Sequence, residues 1–168
     1  DVTTILITML TDDPKDMELV SELAVLTCVD YSQEPNPAEA WWAWWDRVGG
    51  TDPFSWFCGA LAAAELTIYG SPESLGGQGT LKGGLGLLAV MRGEAGAESF
   101  LVERSRRELS RLLGRDIGGF PPRGRQFDRW CAELEFSLGE HYAALEDEWS
   151  GVGDLGPEPA SVAPASAQ

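Results

Sequence analysis

The stretch Leu26–Trp45, LTCVDYSQEPNPAEAWWAWW, decides how this chain is read. Leu23 and Leu26 close an apolar helical face that begins at Leu19 and Val20, and Asp30 follows in a turn. Asn36-Pro37 then writes a helix start. The asparagine supplies a side-chain acceptor at the N-cap, and proline at the first helical position loses nothing, because that N–H would be unpaired anyway. Glu39, three residues after Asn36, adds a capping-box-like pair. Beyond it Trp41, Trp44, Trp45 and Val48 recur at i, i+3, i+4 and i+7, the spacing of one buried helical face, and Gly49-Gly50 stops the run.

Asp13-Pro14 and Asp52-Pro53 carry the same start signature, with Asp16 placing a second carboxylate in the first turn of the earlier one. After Pro53 the apolar positions are Phe54, Phe57, Cys58 and Leu61, with Trp56 off that stripe. Helical spacing resumes at Leu85, Leu88 and Met91, again from Phe100 to Leu113, and again from Phe127 through Trp130, Cys131, Leu134 and Leu138. That last helix has the apolar positions to continue past Gly139 through Tyr142, Leu145 and Trp149. No segment alternates with period two between hairpin turns, so the expected class is all-α. Val2 to Leu10 (VTTILITML) is β-branched enough for a strand, and propensity leaves helix or strand open there.

Residues 70–86, GSPESLGGQGTLKGGLG, hold seven glycines and a proline and read as a mobile loop between two halves. The division that follows is 1–69 as a first helical unit, 70–86 as the loop, 87–149 as a second helical unit, and 150–168, rich in Gly, Pro, Ala and Ser, as a disordered tail.

The second unit repeats the first. Glu22, Leu23, Leu26, Asp30, Pro35 and Trp44 are met 86 residues later by Glu108, Leu109, Leu112, Asp116, Pro121 and Trp130, and Trp41 by Phe127. Leu26–Trp45 resembles the repeat-end signature of bacterial HEAT-like proteins: Leu-Thr-Gly-x-Asp-aromatic-Gly, a loop with Asp-Pro, then Ala-Trp-x-x-Trp-Trp. Leu112–Trp130, LLGRDIGGFPPRGRQFDRW, is a weaker copy, and the two stretches together hold 39 of the 168 residues. The resemblance implies an α-solenoid of stacked antiparallel helix hairpins that offers a surface to other proteins. Cys28 stands where the pattern has glycine, whereas the second copy keeps Gly114. If that position ends the helix in a left-handed conformation, a non-glycine residue costs roughly 1 kcal/mol and the first turn is under pressure to rebuild. Two copies are few for a solenoid, so its ends need atypical helices, a partner or self-association to cap them.

Composition sets further bounds. With 43% hydrophobic residues, seven Trp and six Phe there is enough apolar surface for a core. A net charge of −15 disfavours nucleic acid as a partner, and no apolar run reaches the roughly 20 residues of a transmembrane span. Cys28, Cys58 and Cys131 form neither a disulfide framework nor a zinc pattern and are expected as buried free thiols, which favours a cytoplasmic setting. The chain opens at Asp1 rather than at a methionine, which leaves room for an upstream signal or anchor.

Little in the sequence points to catalysis, a metal or a cofactor. Cys131 and His141, the single histidine, are ten residues apart, about 15 Å of helical rise, which is too far for a working pair on a continuous helix. Gly76 to Lys82 lacks the Gly-Lys-Ser/Thr ending of a phosphate loop. Glu133 and Glu135 point in different directions on a helix, and Glu146 to Glu148 form a solvated run.

What stands out is charge. Eight of the twelve basic residues lie between Arg104 and Arg129, against four acids in the span 100–130, whereas residues 1–50 hold ten acids and two bases. The expected function is therefore a non-catalytic interaction or assembly scaffold. It would bind an acidic protein partner or a second copy through Arg104, Arg106, Arg107, Arg111 and Arg115, with Trp42, opposite the apolar face of its helix, as a contact residue. The alternative is a small enzyme with a site near the Gly70–Gly86 loop and His141 as base.

Overall fold

The computed structural model describes residues 1–66, 70–93 and 96–152, and every regular element among them is helical. Eight helices follow in order: α1 Val2–Asp12, α2 Met17–Thr27, α3 Pro37–Val48, α4 Pro53–Ala63, α5 Pro72–Leu75, α6 Leu81–Arg92, α7 Ser99–Leu112 and α8 Arg125–Val152. No helix among the described residues is long and apolar enough to cross a membrane.

Local sequence explains most of these boundaries. Asn36 accepts the Glu39 N–H and donates its amide to the Glu39 carboxylate, and Asp52 accepts the Ser55 N–H. Asp13 is different, and the expected start there is corrected. The Asp13 carbonyl accepts the Asp16 N–H across a turn with Pro14 in its second position, and Asp16 caps α2 by accepting the N–H groups of Glu18 and Leu19. Proline suits the second position of such a turn as well as the first turn of a helix, so Asp16, the later acceptor, takes the cap.

Val2 to Leu10 is helix. Thr3, Ile7 and Leu10 lie on one buried face, and the hydroxyls of Thr4, Thr8 and Thr11 donate to the carbonyls of Asp1, Thr4 and Ile7. Burial of that face outweighs a β-propensity worth only tenths of a kcal/mol per residue.

The glycine-rich segment is also corrected: it is not a loop throughout. It contains α5, capped reciprocally by Ser71 and Ser74, and the first half of α6, capped by Thr80. Its glycines permit close approach. A methyl group at Gly83 would collide with the Ser74 carbonyl, so α5 rests directly on the α6 backbone. The last helix passes Gly139 and runs to Val152; the rest of the expected tail lies outside the described residues.

The helices enclose two apolar clusters. Ile7, Leu10, Val20, Leu23, Trp41, Trp44 and Trp56 form the first, and Phe57, Leu61, Leu75, Leu87, Leu88, Met91, Leu109, Phe127 and Leu138 belong to the second. Consecutive residues of α4 serve both, Trp56 the first and Phe57 the second, which is why Trp56 is buried although it stands off the Phe54–Leu61 stripe. Phe100 packs against both clusters as well. Helix contacts follow a matching plan: α1 touches α2 and α3, α6 touches α7 and α8, α2 meets α7, and α4 touches both α2 and α7.

The turns after α2 and α7 have the same geometry. Cys28 has φ 58° and Gly114 has φ 63°, both left-handed. Two residues on, the Asp30 carboxylate accepts the Ser32 N–H at 2.7 Å and the Asp116 carboxylate accepts the Gly118 N–H at 2.8 Å. The first turn is thus kept rather than rebuilt, and burial of the Cys28 thiol in the second cluster offsets the roughly 1 kcal/mol of strain. One polar pair distinguishes the copies. Trp41 Nε1 donates to Thr27 Oγ1 at 3.1 Å, and the positions 86 residues on are the buried apolar Phe127 and Leu113. Donor and acceptor are present together or replaced together, as burial demands.

Two glycine substitutions separate these effects. Gly114→Ala, with open space around its Cβ, should cost about 1 kcal/mol from backbone strain alone. Gly83→Ala has no such strain but meets the Ser74 carbonyl and should cost about 1–3 kcal/mol. Urea denaturation of both variants checks the order; equal losses would contradict the close α5–α6 contact.

Candidate docking surface

The outer face of α7 gathers four of the five arginines expected to dock a partner. Arg106, Arg107, Arg111 and Arg115, with Ser110, Gly114 and Asp116, line an open depression of about 620 Å³. The helical period brings them together: positions 107 and 111 are one turn apart, and the left-handed Gly114 turns the chain so that Arg115 follows at the rim.

The charge there is mostly satisfied within the chain. Arg106 makes a two-point contact with Glu103, at 2.9 and 2.7 Å, and also donates to the Gly118 carbonyl. Arg107 reaches across to α2, where Nη1 and Nη2 donate to the two Glu22 carboxylate oxygens at 2.6 and 2.7 Å. Arg111 donates to Glu108 and to the carbonyls of Leu75 and Gly77, tying α7 to the end of α5. Arg115 donates to Ser137. The Arg107 hydrogen bond to Glu22 holds that carboxyl below the usual carboxylate range, and Arg106 does the same for Glu103. These arginines therefore hold the fold together as well as facing solvent.

Arg104 points inward instead. Its guanidinium lies 5.8 Å from the Phe57 ring centre, and its Nε is buried without a hydrogen-bond partner. Trp42 is placed elsewhere, half-buried on α3, donating from Nε1 to Thr11 Oγ1 of α1 at 3.3 Å. The structure does not bring it to the arginine face.

The sequence reading overlooked an exposed aromatic beside this face. Phe120 is 37% exposed and stacks edge-on against Trp130 with ring centres 5.7 Å apart. Arg123 lies over Phe127 at 4.1 Å, and exposed Arg125 follows. None of Arg115, Arg123 and Arg125 has a carboxylate partner among the described residues. Its signal was legible: a lone phenylalanine between Gly118-Gly119 and Pro121-Pro122 lies outside any helical stripe.

The remaining reactive groups lie apart from this face. Burial pushes the Cys28 and Cys58 thiols up to about 11, and Cys131 is raised for the same reason. The His141 ring packs against Tyr142, whose hydroxyl donates to the Gln78 carbonyl beside an open groove of about 570 Å³. Among the described residues no group of acids, cysteines or histidine is arranged to hold a metal ion. No family model, curated protein sequence or solved structure matches the chain.

The Arg107–Glu22 pair makes a pH prediction. Because the folded Glu22 carboxyl is shifted down, its contribution is present above the unfolded value near pH 4.3 and is lost as pH falls through the folded value. Both side chains are more than a third exposed, 36% and 42%, so screening keeps the pair to about 1 kcal/mol. Glu22→Gln should lower stability by that amount at pH 7 and leave a smaller difference from wild type at pH 3. Thermal melts at the two pH values check it; a constant difference would contradict it.

Proposed function

We propose that this chain is a non-catalytic interaction or assembly subunit built as a short HEAT-like helical array, and that it docks an acidic protein surface at the edge formed by the turn after α7. The fold-level support is the repeated turn: left-handed Cys28 and Gly114, each followed by an aspartate that accepts the N–H two residues on, ahead of a helix bearing Trp44 or Trp130. An array of matched units is suited to presenting an extended face to another protein. A reducing, cytoplasmic setting suits three buried free thiols.

The observation that carries the functional reading is Phe120 with its rim. An aromatic side chain over a third exposed, packed on Trp130 and on the Phe127 ring that Arg123 covers, with Arg115 and Arg125 within five residues of it along the chain, has the composition of an interface anchor within an electrostatic rim. This narrows the docking surface from the whole Arg104–Arg129 segment to its distal part, because Arg106, Arg107 and Arg111 hold α7 to its neighbours. The acidic partner is another protein or a second copy, since the chain carries a net −15.

The combined variant Phe120→Ala, Arg123→Glu, Arg125→Glu should weaken assembly or partner retention at least tenfold, about 1.4 kcal/mol, while the chain keeps its helical circular dichroism. Wild-type assembly should weaken as salt rises. Sedimentation velocity of the purified chain, with quantitative cross-linking of its native complex, provides the readout. Unchanged assembly in the variant would overturn this reading.

A further inference from the structure

A cleft of about 390 Å³ opens between the N-terminal end of α4, the chain after α5 and the inner side of α7, with Pro53, Phe54, Gly77, Arg104, Glu108 and Arg111 among its lining residues. Several of its polar groups are committed within the chain. Glu108, only 5% exposed, accepts from Arg111 Nε at 2.5 Å, and the other Arg111 nitrogens are spent on the Leu75 and Gly77 carbonyls. The guanidinium of Arg111 also lies 5.9 Å from the Phe54 ring centre. Arg104 has no ion pair and no hydrogen bond within the described residues, its Nε is buried, and one flank lies over Phe57. A guanidinium Nε–H buried beside an aromatic ring without an acceptor is costly to keep, and a fork so placed is ready for a planar two-point acceptor.

We propose that this cleft binds a carboxylate on an apolar stem, with Arg104 as the recognition residue. The two acids lining it, Asp52 and Glu108, choose the charge of the ligand: a singly charged carboxylate meets less repulsion there than a phosphate dianion. Pro53 and Phe54 supply the apolar wall, which lowers the local dielectric and strengthens an arginine–carboxylate pair. The carboxylate belongs either to a small organic acid or to the C-terminus of a peptide. This cleft is separate in composition from the Phe120 rim and does not require the docking reading to hold.

Calorimetric titration of the full chain with 3-phenylpropionate, acetyl-glycyl-phenylalanine, the amide of each, and inorganic phosphate tests the proposal. At least one acid should bind, with its amide and phosphate at least tenfold weaker. Binding of phenylpropionate points to a free acid as the natural ligand, and binding of only the peptide acid points to a chain terminus. Arg104→Met should abolish acid binding, whereas Arg104→Lys, a point charge without the fork, should retain part of it. Without ligand, Arg104→Met should melt at or above the wild-type temperature, because it removes a buried N–H that has no acceptor. The proposal is overturned if neither acid binds, if amide or phosphate binds as tightly, if Arg104→Met leaves binding intact, or if that variant melts lower.

Discussion

The seam between α2 and α7 is the contact on which the rest of the structure depends. On one side of it α1 touches α2 and α3, on the other α6 touches α7 and α8, and α2 meets α7 where these two groups join. Phe100 inserts from α7 against both clusters, and α4 contributes Trp56 to one and Phe57 to the other. The Glu22–Arg107 pair spans the same seam with two parallel hydrogen bonds, which fixes orientation more than it adds stability. The apolar contact supplies most of the energy, and the ion pair sets the register in which it is made.

This division of labour changes how the arginines of α7 are understood. A run of positive charge on one helix suggests a surface waiting for a partner, yet Arg106, Arg107 and Arg111 reach carboxylates or carbonyls on neighbouring segments. Charge free for a partner collects farther along, after the left-handed Gly114, where Arg115, Arg123 and Arg125 form no ion pair among the described residues. Arg104 takes the opposite course, turning into the protein, where its Nε has no acceptor among the described residues.

Much of the architecture was legible in particular residues. The caps at Asn36 and Asp52, the tryptophan face of α3 and the shared Asp30/Asp116 turns follow from local chemistry, and local chemistry is what a sequence displays. Where the reading failed, tertiary contact decided. The threonines of α1 accept helix because a buried face demands it, and the glycines of α6 serve close packing under Ser74. At the candidate site, the partner of Arg107 lies 85 residues away on α2, and counting charge along one segment cannot find it. Arg104 was recoverable in principle. It lies three residues from Leu101 and four from Glu108, both buried, so a helical projection would have turned it inward.

If the seam joins the two groups, they must unfold together. Native-state hydrogen exchange reads this directly, since buried amides of α1–α3 and of α6–α8 report separately on each group. The account predicts that the most protected amides of both groups exchange with one common opening free energy equal to that of global unfolding. Protected amides of α1–α3 exchanging at a distinctly lower free energy, with those of α6–α8 unaffected, would contradict it.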